Sequence, residues 1–475
     1  MNNDIKIEDP EKLKKLHSET PCMWTPENYE RHFHSHDERA PYSFKIKDTI
    51  LDAIGYTPLV RLHKIPQSEG VNCEIVAKCE YLNPGGSLKD RPALRMITDA
   101  EKVGRIQPGD TFIEPTSGNT GIAMALVSAI KGYRMILVVP EKCSDEKVAT
   151  MRSLGAEVVV KQTEHEWHSP ETHISLSKKL HEQIPHSHIL GQYVNPSNPK
   201  AHYDSTAEEL IEQCEGKIDY FFAGAGTGGT ISGIGHKLKE KFPGCKIIGV
   251  DPVGSLIALP EELNKTEKKV HFQVEGTGDE FIPKTLDRPV IDGWVKVNDK
   301  DSFLMARRLI KDEGLLCGGS AGLVVAGAIQ YAKENKLGKD VRCVVLLADS
   351  IKNYMTKFID DFWMIRHRFM SMESLSDPIH PLSGVSWEKL ELKESQVVDT
   401  EVTLADVAKI MSQGVRYLPV VDQKKIVGLI SHHSLMKQMI NNKKTGDQPA
   451  CPAVVRDIQI VNYNCFNDFA NSIIT

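Results

Sequence analysis

The chain has 475 residues, with 58 Lys and Arg against 64 Asp and Glu, a formal charge of -6. That length exceeds one ordinary domain and predicts two or three. A mildly acidic balance without an extended basic patch argues against nucleic acid or an anionic membrane as the main partner. No apolar stretch is long enough to span a bilayer, and the charged Met1–His17 lacks the apolar core of a secretory signal. The ten cysteines are scattered, with no C-x-x-C pair. Such usage points to reduced thiols in the cytoplasm rather than a disulfide framework.

Residues 1–42 read as an N-terminal extension rich in charge, Pro and His. Within it lie Cys22, Trp24 and the histidines His32, His34 and His36. A thiolate and an imidazole can together ligate a metal or haem; spacing alone favours a polar tail with incidental histidines.

Residues 43–365 form the main body. Short apolar runs at Glu74–Cys79, Thr111–Glu114, Met135–Val139, Glu157–Lys161, Tyr220–Ala223, Lys246–Val250 and Cys343–Leu347 alternate with helix-length segments. Continuous apolar strands with intervening helices predict mostly parallel α/β sheets, here enough for two lobes. Ligands then bind at the carboxyl ends of the strands. One such end carries Asn83–Arg91, with Gly85 and Gly86 followed by Lys89 at the start of a helix over Pro92–Val103. A lysine there feels the positive helix end, and once desolvated it becomes a usable nucleophile. The plain alternative is a solvated lysine in a turn.

Three further loops sit at strand ends. Glu114–Gly121 offers Thr116, Ser117, Asn119 and Thr120 before an Ala-rich helix, as a carboxylate site or a simple helix cap. Gly224–Thr230 places glycines between a strand and the helix Ile231–Lys241, which suits a phosphate but matches neither the dinucleotide fingerprint nor the P-loop. Cys317–Gly322 opens a third helix, where Ser320 caps the helix or bonds a ring nitrogen. A nucleophilic lysine, a phosphate cup, a carboxylate loop and a serine among glycines fit pyridoxal phosphate better than a nucleotide.

Taken in order, Gly-Gly-Ser-Leu-Lys-Asp-Arg, Pro-Thr-Ser-Gly-Asn-Thr-Gly, Gly-Thr-Gly-Gly-Thr and Gly-Gly-Ser-Ala-Gly resemble the fold-type II pyridoxal-phosphate enzymes. These are the cysteine synthase and cystathionine β-synthase family, two-lobed α/β proteins like the tryptophan synthase β subunit. The N-terminal Cys-x-Trp and histidines are similar to the haem-binding segment of its eukaryotic cystathionine β-synthase subgroup. The resemblance implies that Lys89 forms the Schiff base with the cofactor and moves the substrate α-proton. It assigns Asn119 to the cofactor ring hydroxyl, Gly226, Thr227, Gly228, Gly229 and Thr230 to its phosphate, and Ser320 to its ring nitrogen. Thr116, Ser117, Thr120 and Gln192 would hold the substrate carboxylate, and Cys22 and His34 would be the axial ligands of haem b. The implied reaction joins serine and homocysteine into cystathionine and water, with hydrogen sulfide released when cysteine replaces serine, in a homodimer. The alternatives are a cysteine synthase using O-acetylserine and sulfide, and a non-catalytic haem or nucleotide sensor. Two positions depart from the pattern: Asp279 stands where a tyrosine is expected in the mobile loop, and His236 where an arginine steadies the haem thiolate.

Residues 366–385 read as a linker, and 386–475 as a regulatory region. Leu390–Ile440 resembles one CBS motif, with a lead-in and helix over Thr400–Met411, strands Tyr417–Asp422 and Ile426–Leu429, and a helix Ser434–Ile440. A second motif begins near Cys451–Val455, but the chain stops at Thr475, short of its last strand pair and helix. A truncated Bateman-type module of this kind is expected to act as a dimerisation or autoinhibitory cap rather than as an adenosyl-ligand site.

Overall fold

The computed structural model describes residues 46–116, 118–141, 143–161, 173–266, 270–371, 398–399, 402–412, 417–422 and 425–431. Cys22, His34 and Ser117, the helix expected over Ser434–Ile440 and the second CBS motif lie outside the described residues. The chain divides into two units, Met1–Asp52 and Ala53–Thr475. In the first, Thr49 N donates to Asp52 Oδ2 at 2.9 Å and closes a single turn.

In the second unit the strands are β1 (Leu59–Arg61), β2 (Glu74–Cys79), β3 (Thr111–Pro115), β4 (Arg134–Pro140), β5 (Glu157–Lys161), β6 (Ser187–His188), β7 (Tyr220–Gly224), β8 (Lys246–Pro252), β9 (Gly293–Val297), β10 (Arg342–Leu347), β11 (Val398–Asp399), β12 (Tyr417–Asp422) and β13 (Lys425–Ser431). They form a six-stranded sheet in the order β1-β2-β10-β7-β8-β9, a four-stranded sheet β5-β4-β3-β6 and a three-stranded sheet β11-β12-β13. Every pairing in the two large sheets is parallel except β1 with β2. Each apolar run expected from sequence is a strand, lengthened by a residue or two at some ends. Gly293–Val297 escaped notice because its Trp and Lys interrupt the apolar signal.

The two faces of the large sheet explain the unbroken apolar runs. Ile75, Ala77, Phe222, Ile248, Val345 and Leu347 point to one core with Phe303, Leu309 and Val324. Their neighbours Val76, Phe221, Ile247, Val344 and Leu346 point to another with Leu210, Ile234 and Leu238. Both faces are covered by helices, so period-two alternation vanishes. The small sheet packs Leu418, Val420 and Ile430 against Val407 and Met411 of the helix Leu404–Met411. That helix begins at Thr403, whose hydroxyl accepts from Asp406 N at 3.2 Å.

Strand order in the large sheet places β10 between β2 and β7, so the segments leaving these three strands meet at one sheet edge. The first of them is anchored from below by buried charges. Arg91 donates to Glu80 through Nε at 2.8 Å and Nη2 at 2.7 Å, and to Glu209 through Nη1 at 2.6 Å and Nη2 at 2.8 Å. Lys78 reaches the same Glu209 at 2.6 Å and Thr57 O at 2.7 Å. All four charged residues are buried, and two cations balance two carboxylates.

Removing one partner strands a charge without water. Arg91→Ala should therefore lower unfolding stability by about 3–5 kcal/mol in urea titrations. Burial opposes ionisation of Glu80, but Arg91 and Thr57 outweigh it and hold the carboxyl at about 2. Its contribution is thus complete above about pH 4.3 and lost as pH falls through about 2. The urea midpoint of the wild type should drop across that window, and that of Glu80→Gln should drop less.

Candidate active site

Lys89 is the residue before the first turn of the helix Asp90–Lys102, as expected from sequence. Two antiparallel contacts hold its loop: Ser87 bridges Asp349, and Leu88 N donates to Ala348 O at 2.9 Å. Burial pushes the Lys89 amine down to about 8, with Asp349 pulling the other way. Among the described residues nothing accepts a hydrogen bond from this amine. Gly86 has φ +82°, a turn that a side chain would strain. Gly85 makes room for a close protein contact. A β-carbon there would come within 2.4 Å of Asp90 Oδ1, and its N–H donates to Asp90 Oδ2 at 2.6 Å.

Asp349, just beyond β10, joins three of the loops and was not singled out from sequence. Its backbone carbonyl accepts from Gly318 N at 2.8 Å, which brings in the Ser320 loop. Its Oδ2 accepts from Asn119 Nδ2 at 2.7 Å and from the Tyr354 hydroxyl at 2.5 Å. Asn119 Oδ1 in turn accepts from Asn353 Nδ2 at 3.0 Å. Burial pushes the Asp349 carboxyl up, while Lys147 pulls it back. Ser320 is buried in the first turn of the helix Gly319–Glu334, and its hydroxyl has no partner among the described residues.

The carboxylate loop and the glycine cup are tied by a second string of bonds. Thr116 Oγ1 accepts from Gly118 N at 3.1 Å and Gly121 N at 3.3 Å, which shapes the loop. Thr120 Oγ1 donates to Gln192 Oε1 at 2.6 Å. Gln192 N is held by buried Glu114 at 3.1 Å, a carboxyl pushed up to about 7 by burial. Asn198 Nδ2 then bridges Gln192 O at 2.9 Å and Thr227 Oγ1 at 3.0 Å. Beyond it, Thr230 Oγ1 lies 3.1 Å from His202 Nε2, and burial pushes that imidazole down to about 3, so it is neutral. Glu114, Asn198 and His202 each act by folding onto a distant segment.

The cup's glycines are required by close protein contacts. A β-carbon on Gly229 would sit 2.2 Å from Asn198 Oδ1, and one on Gly228, with φ +80°, 2.3 Å from Leu286 Cβ. With this tight turn the helix Gly229–Lys241 begins at once. Its first-turn N–H groups at Gly229, Thr230 and Ile231 have no acceptor among the described residues, the arrangement that binds a phosphate.

These features fit pyridoxal phosphate on the chain's own terms. An unpartnered amine, a serine hydroxyl without a partner and an open helix N-terminus are joined through Asp349, Asn119, Thr120, Gln192 and Asn198. Asp90 Oδ1, Asn198 Oδ1 and Asp349 Oδ1 are also buried with no partner among the described residues. His236, at the position of the haem-supporting arginine, is half in solvent and pairs with Asp287 at 2.7 Å. The expected mobile loop is pinned at Asp279, whose N–H donates to Ser255 Oγ at 3.0 Å.

Comparison with known proteins agrees with this geometry. The pyridoxal-phosphate dependent enzyme family matches residues 50–349, and the CBS domain family residues 390–441. Cystathionine beta-synthase of Dictyostelium discoideum is 51% identical over 427 residues, 89% of this chain and 84% of that protein. The Mus musculus protein of the same name is 49% identical over 433 residues, 91% of this chain and 76% of its own. Among solved structures, an O-acetylserine dependent cystathionine beta-synthase from Helicobacter pylori superposes with a TM-score of 0.60 at 38% identity, covering 66% of this chain and 99% of that one. On these matches, spread over catalytic body and C-terminal module alike, the chain belongs to the cystathionine β-synthase family of pyridoxal-phosphate dependent enzymes.

Proposed function

We propose that this chain joins L-serine and L-homocysteine into L-cystathionine with loss of water, and releases hydrogen sulfide when cysteine replaces serine. The observation that carries the reading is the Lys89 amine, half-buried, unpartnered among the described residues and pushed down to about 8 at the junction of β2 and β10. When bound, pyridoxal phosphate supplies an electron sink for negative charge at the substrate α-carbon. Lys89 Nζ would hold the cofactor at rest and, once displaced by the substrate amine, would take the proton from the substrate α-carbon and later return it. Gly226, Thr227, Gly228, Gly229 and Thr230 hold the phosphate, and Asn119 holds the ring hydroxyl. Ser320 meets the ring nitrogen as a neutral partner, which suits β-replacement better than transamination.

Thr116, Ser117, Thr120 and Gln192 hold the substrate carboxylate. The bond from Thr120 to Gln192 and the N–H groups bound by Thr116 support that role by fixing the loop before substrate arrives. Asp279 stands where the second substrate would enter, and its negative charge bears on the choice of thiol. Cys22 and His34 ligate haem b in the N-terminal extension, a reading that rests on their sequence context. The catalytic body spans 43–365, and residues 366–385 link it to a C-terminal region that acts as a cap. The seven described cysteines are all free thiols, which is in keeping with a cytoplasmic location, and the enzyme works as a homodimer. No described helix is long and apolar enough to cross a membrane.

Lys89→Ala should abolish cystathionine formation from serine and homocysteine, assayed by product chromatography; unchanged turnover would refute the mechanism. O-acetylserine with sulfide, tested in the same assay, should be the poorer pair. The rate at which apoprotein captures pyridoxal phosphate should climb with pH and level off above about 8, where the Lys89 amine is uncharged. Cys22→Ala should remove the Soret band of the purified protein, and a retained native band would exclude the thiolate ligand.

A further inference from the structure

One group of buried charges has no part in the roles assigned so far, yet it touches three loops of the site. Lys147, on the helix Asp145–Ser153, is 1% exposed. Its ammonium donates to Glu275 Oε2 at 2.7 Å and to the Tyr354 hydroxyl at 3.1 Å, and stands 4.4 Å over the Tyr354 ring. Glu275 also pairs with Lys357. The stem of Lys147 presses on the carboxylate loop, where a β-carbon on Gly118 would meet its Cδ at 2.3 Å. Glu275 opens the segment behind the phosphate cup: a β-carbon on Gly226 would lie 2.7 Å from Gly276 O, and Gly278 N donates to Ala225 O at 2.7 Å.

Hydrogen-bond direction runs one way through this group. An ammonium only donates, so the Tyr354 oxygen accepts from Lys147 and its own proton goes to Asp349 at 2.5 Å. Asp349, accepting from Tyr354, takes its second bond from the amide nitrogen of Asn119. That leaves Asn119 Oδ1 to accept from Asn353. The positive charge on Lys147 therefore decides which end of the Asn119 amide is the donor. Burial works against the charge on Lys147, but Glu275 and Asp349 hold it protonated. Burial also pushes Asp349 towards its neutral form, and Lys147 is what pulls it back. Removing Lys147 takes away the cation that opposes burial at Asp349 and frees the Tyr354 hydroxyl to turn, which loosens the acceptor that orients Asn119. Packing alone has no need of such a chain, since a Met or Leu would fill the space without the desolvation cost of an ammonium.

We propose that Lys147 is a positioning residue for the cofactor, acting through Tyr354 and Asp349 to fix the donor end of Asn119 and linking it, through Glu275, to the segment behind the phosphate cup. This rests on the pyridoxal-phosphate reading above. The test is equilibrium titration of full-length apoprotein with pyridoxal phosphate, together with the absorbance spectrum of the bound cofactor. It is run on wild type, Lys147→Met and Tyr354→Phe, and on each in an Asp349→Asn background. Tyr354→Phe keeps the ring and removes only the relaying hydroxyl, so it decides the matter if Lys147→Met does not fold.

Both variants should bind the cofactor at least about tenfold more weakly, the loss of one hydrogen bond to a charged group. Both should also shift its absorbance band, and both effects should vanish in the Asp349→Asn background. Variants that melt earlier yet bind with wild-type affinity and an unshifted band would reduce Lys147 to a packing role and overturn the proposal. Losses that persist undiminished in the Asp349→Asn background would overturn the route through Asp349. Wild-type apoprotein that takes up no pyridoxal phosphate would overturn the proposed function and this inference with it.

Discussion

Arg91 clamped between Glu80 and Glu209 is the constraint on which the site depends. Both carboxylates are taken by one planar guanidinium, whose fork matches them in a way that an ammonium could not. Glu80 closes the end of β2, Arg91 lies in the first turn after the Lys89 loop, and Glu209 belongs to the helix Ala207–Gln213. The clamp therefore fixes both ends of the segment that carries Lys89 to a helix from elsewhere in the chain. A buried ion group of this kind adds little net stability but is costly to break, which makes it a device for holding position.

Above that base, the site is assembled by carboxylates and amides that bond backbone. Glu114 holds Gln192, Asn198 ties Gln192 to Thr227, and Asp349 gathers Ser87, Gly318 and Asn119. Each is buried, and each spends most of its bonding capacity on the protein. Of the groups proposed to meet the cofactor, the Lys89 amine, the Ser320 hydroxyl and the N–H groups of Gly229 and Thr230 have no partner among the described residues, whereas Asn119 is held by Asp349 and Asn353. Supporting groups already tied to the protein are what preorganisation requires, since they need no rearrangement when a ligand arrives.

The charge pattern around Lys89 is similarly divided. Desolvation favours its neutral amine, while Asp349 favours the cation. Asp349 is itself balanced between burial and Lys147. The Lys89 amine is thus tied through Asp349 to Lys147 and Glu275, neither of which is next to it in sequence.

Much was legible in the chain before it folded. The strand runs from Glu74–Cys79 to Cys343–Leu347 could be read because burial on both faces leaves no alternation to obscure them, and the four glycine-bearing loops because strand-loop-helix junctions are local. Lys89, Asn119, Ser320 and the cup at Gly226–Thr230 stand in such motifs. The strand Gly293–Val297 was not legible, nor were Asp349 and Lys147 as members of the site. Sequence order determined which loops carry the chemistry; only the tertiary structure decided which buried side chains join them. The reason is physical: helix and strand signals depend on neighbours a few residues apart, whereas the Asn119–Asp349, Lys147–Glu275 and Lys147–Tyr354 contacts join segments more than 100 residues apart.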